Sequence, residues 1–167
     1  MAHEFRYVQS GDQSVRVAVM GSGPLVLMVH GFPESWSAWV HQIGPIAEAG
    51  FTAAAIDVRG YGGSSKPQAI EAYDMASIVG DLQAVADALG GGKAILIGRD
   101  WGAPIVWAAA LADPEPQMRE HAIRLAEARL NRSRQLLDLV LGLANDANFR
   151  VRMQTAFSLG EVGSNRI

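Results

Sequence analysis

The chain has 167 residues, of which 49% are hydrophobic and 19% charged, and its formal net charge is −3. This length suits one domain of ordinary size, or a domain with an appendage, and can bury a core. The chain has no cysteine, which excludes disulfides, a thiolate zinc site and a cysteine nucleophile. Its four histidines are scattered, so we expect no metal site and no cofactor, and its charge is too balanced to predict nucleic-acid binding.

The amino-terminal stretch "MAHEFRYVQSGDQ" lacks the apolar core of a signal peptide. No run in the sequence approaches the roughly 20 apolar residues that a membrane span requires. We therefore expect a cytoplasmic protein without a membrane partner.

Composition changes near Asp113 and divides the chain into two predicted domains, 1–112 and 113–167. All four tryptophans, all three tyrosines and fifteen of the eighteen glycines lie before this residue. The remainder is rich in arginine, leucine and alanine and predicts successive helices.

Five strands are predicted in the first domain. Residues 4–9 and 14–20 alternate in polarity and predict a hairpin of half-buried strands. Three continuous apolar runs are typical of parallel strands covered on both faces, namely 24–30, 52–57 and 93–98.

Helix-length segments separate or follow these runs, at 34–50, 72–90 and 103–112. The second of them has apolar residues at helical spacing, namely Met75, Ile78, Leu82, Val85 and Leu89. The alternation predicts an α/β fold with a mostly parallel sheet, flanking helices and right-handed crossovers.

The second domain contains an internal repeat with a period of about 33 residues, which is typical of helical solenoids. It pairs Asp113 with Asp146, Arg119 with Arg152, Leu125 with Leu159, and Glu127 with Glu161. A helix with Leu136, Val140 and Leu143 on one face lies between the copies. This domain resembles HEAT repeats, and an ordinary helical extension is the alternative.

The stretch "GRDWG", residues 98–102, follows the fifth predicted strand and begins a helix. That context is typical of a nucleophile elbow, in which flanking glycines let strand and helix approach. Asp100 occupies the nucleophile position, and a carboxylate can attack an electrophilic carbon to form an ester. The alternative is that Asp100 only caps the helix.

Two further motifs accompany the elbow. "HGFPESWSAW" (30–39) follows the third strand and "DVRGYGGSSKP" (57–67) follows the fourth. With these motifs, residues 4–112 resemble the α/β-hydrolase superfamily, and within it the epoxide hydrolases, whose signatures match "HGFP" and "RGYG". Haloalkane dehalogenases share the aspartate nucleophile, but "APIVW" (103–107) after the elbow favours epoxide hydrolases.

The resemblance implies a role for each matching residue. Asp100 would attack a ring carbon, and the backbone N–H groups of Phe32 and Trp101 would bind the oxyanion formed during ester hydrolysis. The Phe32–Pro33 bond would be cis. His30 is a candidate base, although a hydrogen-bonded structural role is the alternative we favour, and Asp57 is a candidate for fixing the loop after its strand.

The sequence departs from the family in three respects. The family has two lid tyrosines after the matching part, whereas all three tyrosines here, Tyr7, Tyr61 and Tyr73, precede the elbow. The family's water-activating histidine has no match, because His121 lies in the repeat-like part. Arg99 replaces the usual histidine before the nucleophile, where it could lower the pKa of Asp100 or pair with a nearby acid.

The sequence thus favours a hydrolase acting on a small epoxide, or on an ester or lactone, and impaired in turnover. A non-catalytic interaction scaffold and an inactive folded fragment are the alternatives. We expect a truncated or chimeric chain whose fifth strand is an exposed sheet edge, and therefore a homodimer or higher oligomer.

Overall fold

The computed structural model describes residues 2–163. These residues fall into two compact units, which meet in the sequence between Val106 and Trp107. The division lies inside one helix, Gly102–Leu111, whereas composition placed the domain boundary at the end of that helix.

The first unit contains one sheet of five strands in the order β1-β2-β4-β3-β5. The strands are β1 (Glu4–Ser10), β2 (Gln13–Met20), β3 (Leu25–Val29), β4 (Thr52–Ile56) and β5 (Ile95–Gly98). The β1–β2 hairpin is antiparallel, and β2 also pairs antiparallel with β4. β3 pairs parallel with both β4 and β5, so the predicted α/β fold is confirmed, and its five-stranded sheet is mixed.

Two helices of this unit, α1 (Val40–Glu48) and α2 (Met75–Gly90), pack on the sheet, and α3 (Gly102–Leu111) begins directly after the turn that follows β5. A 3-10 turn at Trp36–Trp39 precedes α1, and the side chain of Asp74 caps α2. The N–H of Ser77 donates to the Asp74 carboxylate and lowers the pKa of that carboxyl group.

The core of the first unit forms where β3 and β4 are covered on both faces. Every residue of β3 is buried, and Ala53–Ala55 of β4 are fully buried. The small alanine side chains leave room for Trp39 and Ile43, which pack in the same apolar cluster.

A buried ion pair joins the loop after β4 to α2. The Arg59 guanidinium donates to both carboxylate oxygens of Asp81, at 2.9 and 2.6 Å, and also to the carbonyls of Ala72 and Ser77. The hydrogen bond to Asp81 raises the pKa of Arg59, so the arginine is cationic inside the fold. Such a pair is stable in the interior only because nearly all of its donors are satisfied.

The second unit contains the helices α4 (Pro116–Leu130), α5 (Arg134–Leu141) and α6 (Phe149–Gly160). Its apolar core includes Ile123 and Val151, both fully buried. The helical nature predicted for this part of the chain is confirmed.

The repeat is visible in hydrogen bonds around two arginines. Arg119 Nη1 donates to the carbonyls of Asp113 and Pro114, at 2.6 and 3.0 Å. Arg152 Nη1 donates to the carbonyls of Asp146 and Ala147, at 2.7 and 3.0 Å. The two arginines therefore occupy equivalent positions, 33 residues apart.

Two sequence-predicted pairs in the repeat, Leu125 with Leu159 and Glu127 with Glu161, are wrong, because each spans one residue more than the two arginines do. Leu125 is exposed, whereas Leu159 packs against the apolar core. With the 33-residue offset of the arginines, Leu159 corresponds to the buried Ala126. Equivalent residues of the repeat lie on the same face of their helices, and the sequence pattern alone did not show which face of each helix is buried.

Within residues 2–163, no helix combines the length and apolar character needed to cross a bilayer. The same residues contain no cluster of three or more metal-binding side chains.

We predict that the Arg59–Asp81 pair is a main contributor to the stability of the first unit. Asp81→Ala leaves a buried arginine without its carboxylate, and we expect it to lower the free energy of unfolding by about 3–5 kcal/mol. Glu4→Ala, the control, removes an exposed ion pair with Arg6 and should change it by less than about 1 kcal/mol. Urea unfolding followed by tryptophan fluorescence compares the two variants, and equal effects would contradict the prediction.

Candidate active site

Asp100 lies at a sharp turn between β5 and α3 and has a left-handed backbone with φ of 51°. It is the one non-glycine residue with positive φ in the described part of the chain. Gly98 and Gly102 make the turn possible, because a Cβ on Gly98 would overlap the Gly102 carbonyl and a Cβ on Gly102 would overlap the Val29 carbonyl. Strain at a single carboxylate-bearing residue is typical of a functional position.

The loop after β3 approaches the same turn. Gly31 lies directly against Asp100, since a Cβ built on the glycine would come within 2.5 Å of the Asp100 Cβ. The Phe32–Pro33 peptide bond is cis, as the resemblance implies. The Phe32 N–H donates to Asp100 Oδ1 at 2.8 Å.

The charge of Asp100 is stabilised by backbone groups. Hydrogen bonds from the N–H of Phe32, and then from the N–H of Trp101, lower the pKa of the Asp100 carboxyl group, with a smaller contribution from the Arg99 charge. The side chain is therefore an anion at neutral pH. The structure brings together Phe32, Asp100 and Trp101, which the sequence singled out as nucleophile and oxyanion donors.

Arg99 pairs with an acid of the neighbouring loop. Its guanidinium lies 3.0 Å from Glu34 Oε1, and the other oxygen of Glu34 accepts from the Gly31 N–H at 3.0 Å. The arginine thus joins the elbow to the loop that holds Phe32. Both roles suggested by the sequence apply, since Arg99 also contributes to the low pKa of Asp100.

His30 is buried, and both of its ring nitrogens are engaged. The Val58 N–H, which can only donate, bonds to Nε2 at 3.0 Å. Nδ1 therefore carries the proton and donates to the Gly31 carbonyl at 2.8 Å. This geometry leaves His30 no free lone pair for a water molecule and supports its structural role over that of a base.

The other histidines of the first unit lie elsewhere. His3 packs against the rings of Phe5 and Trp36, and His41 is exposed in α1. In the described residues of this unit, no histidine contacts the Asp100 carboxylate.

Asp57 fixes three segments around the site. Its fully buried carboxylate accepts from Arg16 Nε at 2.6 Å and from the backbone N–H groups of Trp36 and Gly63, both at 2.8 Å. A Cβ on Gly62 would overlap this carboxylate. The role suggested for Asp57, of fixing the loop after its strand, therefore extends to the loop before α1 and to β2.

A cavity of about 460 Å³ lies beside the elbow. Its lining is largely apolar and aromatic and comprises Phe32, Val58, Arg59, Tyr61, Tyr73, Ile78, Trp101 and Ile105. The Tyr73 hydroxyl donates to the Pro67 carbonyl, and the Arg59 guanidinium is engaged with Asp81. The cavity therefore suits an apolar group.

Sequence reasoning missed the helical part of this lining. Tyr73 and Ile78 lie beside and in α2 and belong to no motif, and Ile105 of α3 lies in "APIVW", which served only to distinguish between families. Ile78 was singled out only as part of the apolar face of a helix. No local signal distinguishes a helix residue that faces a cavity from one that faces the core.

Comparison with known proteins decides the family. A family model for the alpha/beta hydrolase fold matches residues 24–117, more than half of the chain. The chain belongs to the α/β hydrolase fold family. A model for HEAT repeats matches residues 104–166 of this α/β hydrolase chain.

Relatives similar to this α/β hydrolase include epoxide hydrolases. Epoxide hydrolase B of Mycobacterium tuberculosis is 50% identical over 93 residues, which are 56% of this chain and 26% of that protein. Bifunctional epoxide hydrolase 2 of Sus scrofa is 42% identical over 115 residues, which are 69% of this chain and 20% of that protein. The curated relatives it matches are thus much longer than the part to which this chain corresponds.

Solved structures agree with this relationship. An epoxide hydrolase from an endophytic Streptomyces has a TM-score of 0.66 and 50% identity, and the match covers 68% of this chain and 34% of that one. Epoxide Hydrolase A from Mycobacterium thermoresistibile has a TM-score of 0.65 and 45% identity, and the match covers 68% and 36%.

We predict that Asp100 titrates below the ordinary range of an aspartate. The hydrogen bonds from Phe32 and Trp101 favour the charged form, so its carboxyl carbon should show an NMR midpoint below about 3.9, the usual aspartate value. The resonance is assigned by its loss in Asp100→Asn. A midpoint at or above the ordinary value would contradict the hydrogen bonding described.

Proposed function

We propose that Asp100 is a nucleophile that opens small apolar epoxides. The observation that carries the proposal is the ionised carboxylate, held at Oδ1 by the Phe32 N–H beside an apolar cavity. The names of the relatives support the choice of epoxides, and esters and lactones are secondary substrates.

The chemistry follows from the two oxygens of the carboxylate. Oδ2 attacks a ring carbon, the C–O bond of the epoxide breaks, and the ring oxygen takes a proton from water. Oδ1 becomes the carbonyl oxygen of the resulting ester and keeps the N–H of Phe32 as its donor. The same donor then stabilises negative charge on that oxygen when water attacks the ester carbon.

Hydrolysis of the ester is the step that this chain supports least. It needs a base that takes a proton from water, and His30 has both ring nitrogens engaged. We therefore propose that the ester accumulates, and that turnover is slow unless a second chain supplies the base.

The second candidate function is a non-catalytic interaction scaffold. The HEAT-repeat match over residues 104–166 supports it, since stacked helical repeats commonly present binding surfaces. The two family matches also support a composite origin of the chain. A cytoplasmic location stays a prediction.

We also propose that the chain forms homo-oligomers. In the sheet of the first unit β5 is an edge strand, and Ile95 on it is 51% exposed. An apolar edge strand favours pairing with another copy.

We predict a covalent adduct between the protein and an apolar terminal epoxide. Incubation with styrene oxide should add one reagent mass to the intact protein, and Asp100→Asn should add none, because its amide is not a nucleophile. Peptide mass spectrometry should place the adduct on residues 98–102.

The amount of diol separates the candidate functions. One equivalent of adduct with little diol supports a stalled nucleophile, and diol in large excess over protein supports a turning-over enzyme. The absence of both products would contradict the nucleophile and favour the scaffold.

A second prediction concerns the contact between Gly31 and Asp100. Gly31→Ala inserts a methyl group against Asp100 and should reduce the rate of adduct formation by at least about tenfold, because small displacements of a nucleophile have large effects. Gly44→Ala is the matched control, since its new Cβ meets nothing within 4 Å. Equal alkylation rates in the two variants would show that this contact does not position Asp100.

A further inference from the structure

The helical unit contains one complete stacking contact between equivalent helices, α4 and α6. Arg119 of α4 donates through Nε and Nη2 to the two oxygens of Asp146, at 2.8 and 2.9 Å. Further along, Glu120 pairs with Arg150 at 2.9 Å and Arg124 donates to Gln154 at 3.1 Å. This contact is therefore polar along its exposed edge.

The repeat assigns to each residue of this contact an equivalent residue on the other helix. Adding 33 residues moves the α4 side of the contact to Arg152, Met153 and Phe157 of α6, which we name the α6 face. Subtracting 33 from Asp146, Arg150 and Gln154 on the α6 side gives Asp113, Gln117 and His121. The buried Val151 and Ser158 of α6 correspond in the same way to Met118 and Leu125, and we name these five residues, 113, 117, 118, 121 and 125, the α4 face. Each face lies wholly in the second unit.

Two exposed apolar residues on the α4 face occupy positions that are buried on α6. Met118 is 49% exposed, whereas its equivalent Val151 is fully buried. Leu125 is 65% exposed, whereas its equivalent Ser158 is fully buried. These two apolar side chains on α4 are therefore exposed at positions where the equivalent residues of α6 are covered by a neighbouring helix.

The α6 face is apolar at the corresponding positions. Met153 and Phe157 replace Glu120 and Arg124, and Phe157 is 65% exposed. Burial of exposed apolar side chains against one another is favourable, whereas burial of charged groups under apolar side chains costs free energy because the charges lose water. The α6 face thus matches the α4 face in polarity.

The charges also match. Arg152 Nη1 is held in place by two carbonyls, and the Arg152 guanidinium lies 5.8 Å from the Phe149 ring centroid. Asp113 Oδ1 accepts the Glu115 N–H at 2.8 Å, just as Asp146 Oδ1 accepts the Asn148 N–H. The Asp113 carboxylate is therefore oriented by the same backbone hydrogen bond as Asp146, the aspartate that pairs with Arg119.

We infer that the α6 face of one copy binds the α4 face of a second copy. Arg152 pairs with Asp113, and Phe157 covers His121 and Leu125, in a repetition of the contact inside the unit. The contact is head to tail, so an assembly of any length has a free α4 face at one end and a free α6 face at the other. Further copies can therefore add, and the average size of the assembly increases with protein concentration. Its small area predicts weak association, in the micromolar range or above.

Sedimentation velocity over a concentration series tests this contact. The full chain should show a sedimentation coefficient that rises with concentration. Phe157→Asp and Leu125→Asp each place a charge in one face and should raise the dissociation constant by at least about tenfold. Leu141→Asp is the matched control, because Leu141 is exposed on α5 outside both faces and its variant should associate like the original chain.

A mixture of two variants distinguishes this arrangement from others. Phe157→Asp retains an intact α4 face and Leu125→Asp an intact α6 face, so together they should form a one-to-one dimer that does not grow. Circular dichroism verifies that each variant is folded, as expected for substitutions at exposed positions.

Three results would overturn the inference. They are a full chain that stays monomeric throughout the series, an association that both variants leave unchanged, and a mixture that stays monomeric. The second result is the one expected if copies associate through β5 instead.

Discussion

The buried carboxylate of Asp57 is the interaction on which the candidate site depends. A carboxylate without solvent is stable only when donors surround it, and here the donors come from Arg16, Trp36 and Gly63. These residues belong to β2, to the loop before α1 and to the turn after β4. The carboxylate therefore fixes the two loops that border the cavity, with His30 adding a second link between Gly31 and Val58.

Asp100, the proposed nucleophile, has the opposite electrostatic setting. Asp100 is exposed and strained, and its charge is stabilised by two backbone N–H groups in place of a cation-rich environment. These donors make the carboxylate less basic, which reduces its intrinsic reactivity. The Phe32 N–H lies against Oδ1, the oxygen that would become the ester carbonyl in the proposed reaction, so this donor is already in place for the charge that would develop there.

The sequence predicted the parts of this arrangement that depend on local pattern. The strand runs, the elbow around Asp100 and the cis Phe32–Pro33 bond all have local signals, from apolar runs, glycine spacing or a motif. The antiparallel pairing of β2 with β4 has none, because it joins strands that are distant in the chain. The links of Asp57 to Arg16 and of Arg59 to Asp81 were missed for the same reason.

The hydrogen bond between the Phe32 N–H and Asp100 Oδ1 determines which ligands this site can admit. The donor that would attract an anion is already occupied by the protein's own charge. A halide, phosphate or carboxylate would have to displace Asp100 and would meet its negative charge nearby. We therefore expect the site to disfavour anions and to favour neutral ligands, because the Asp100 carboxylate already occupies the Phe32 donor.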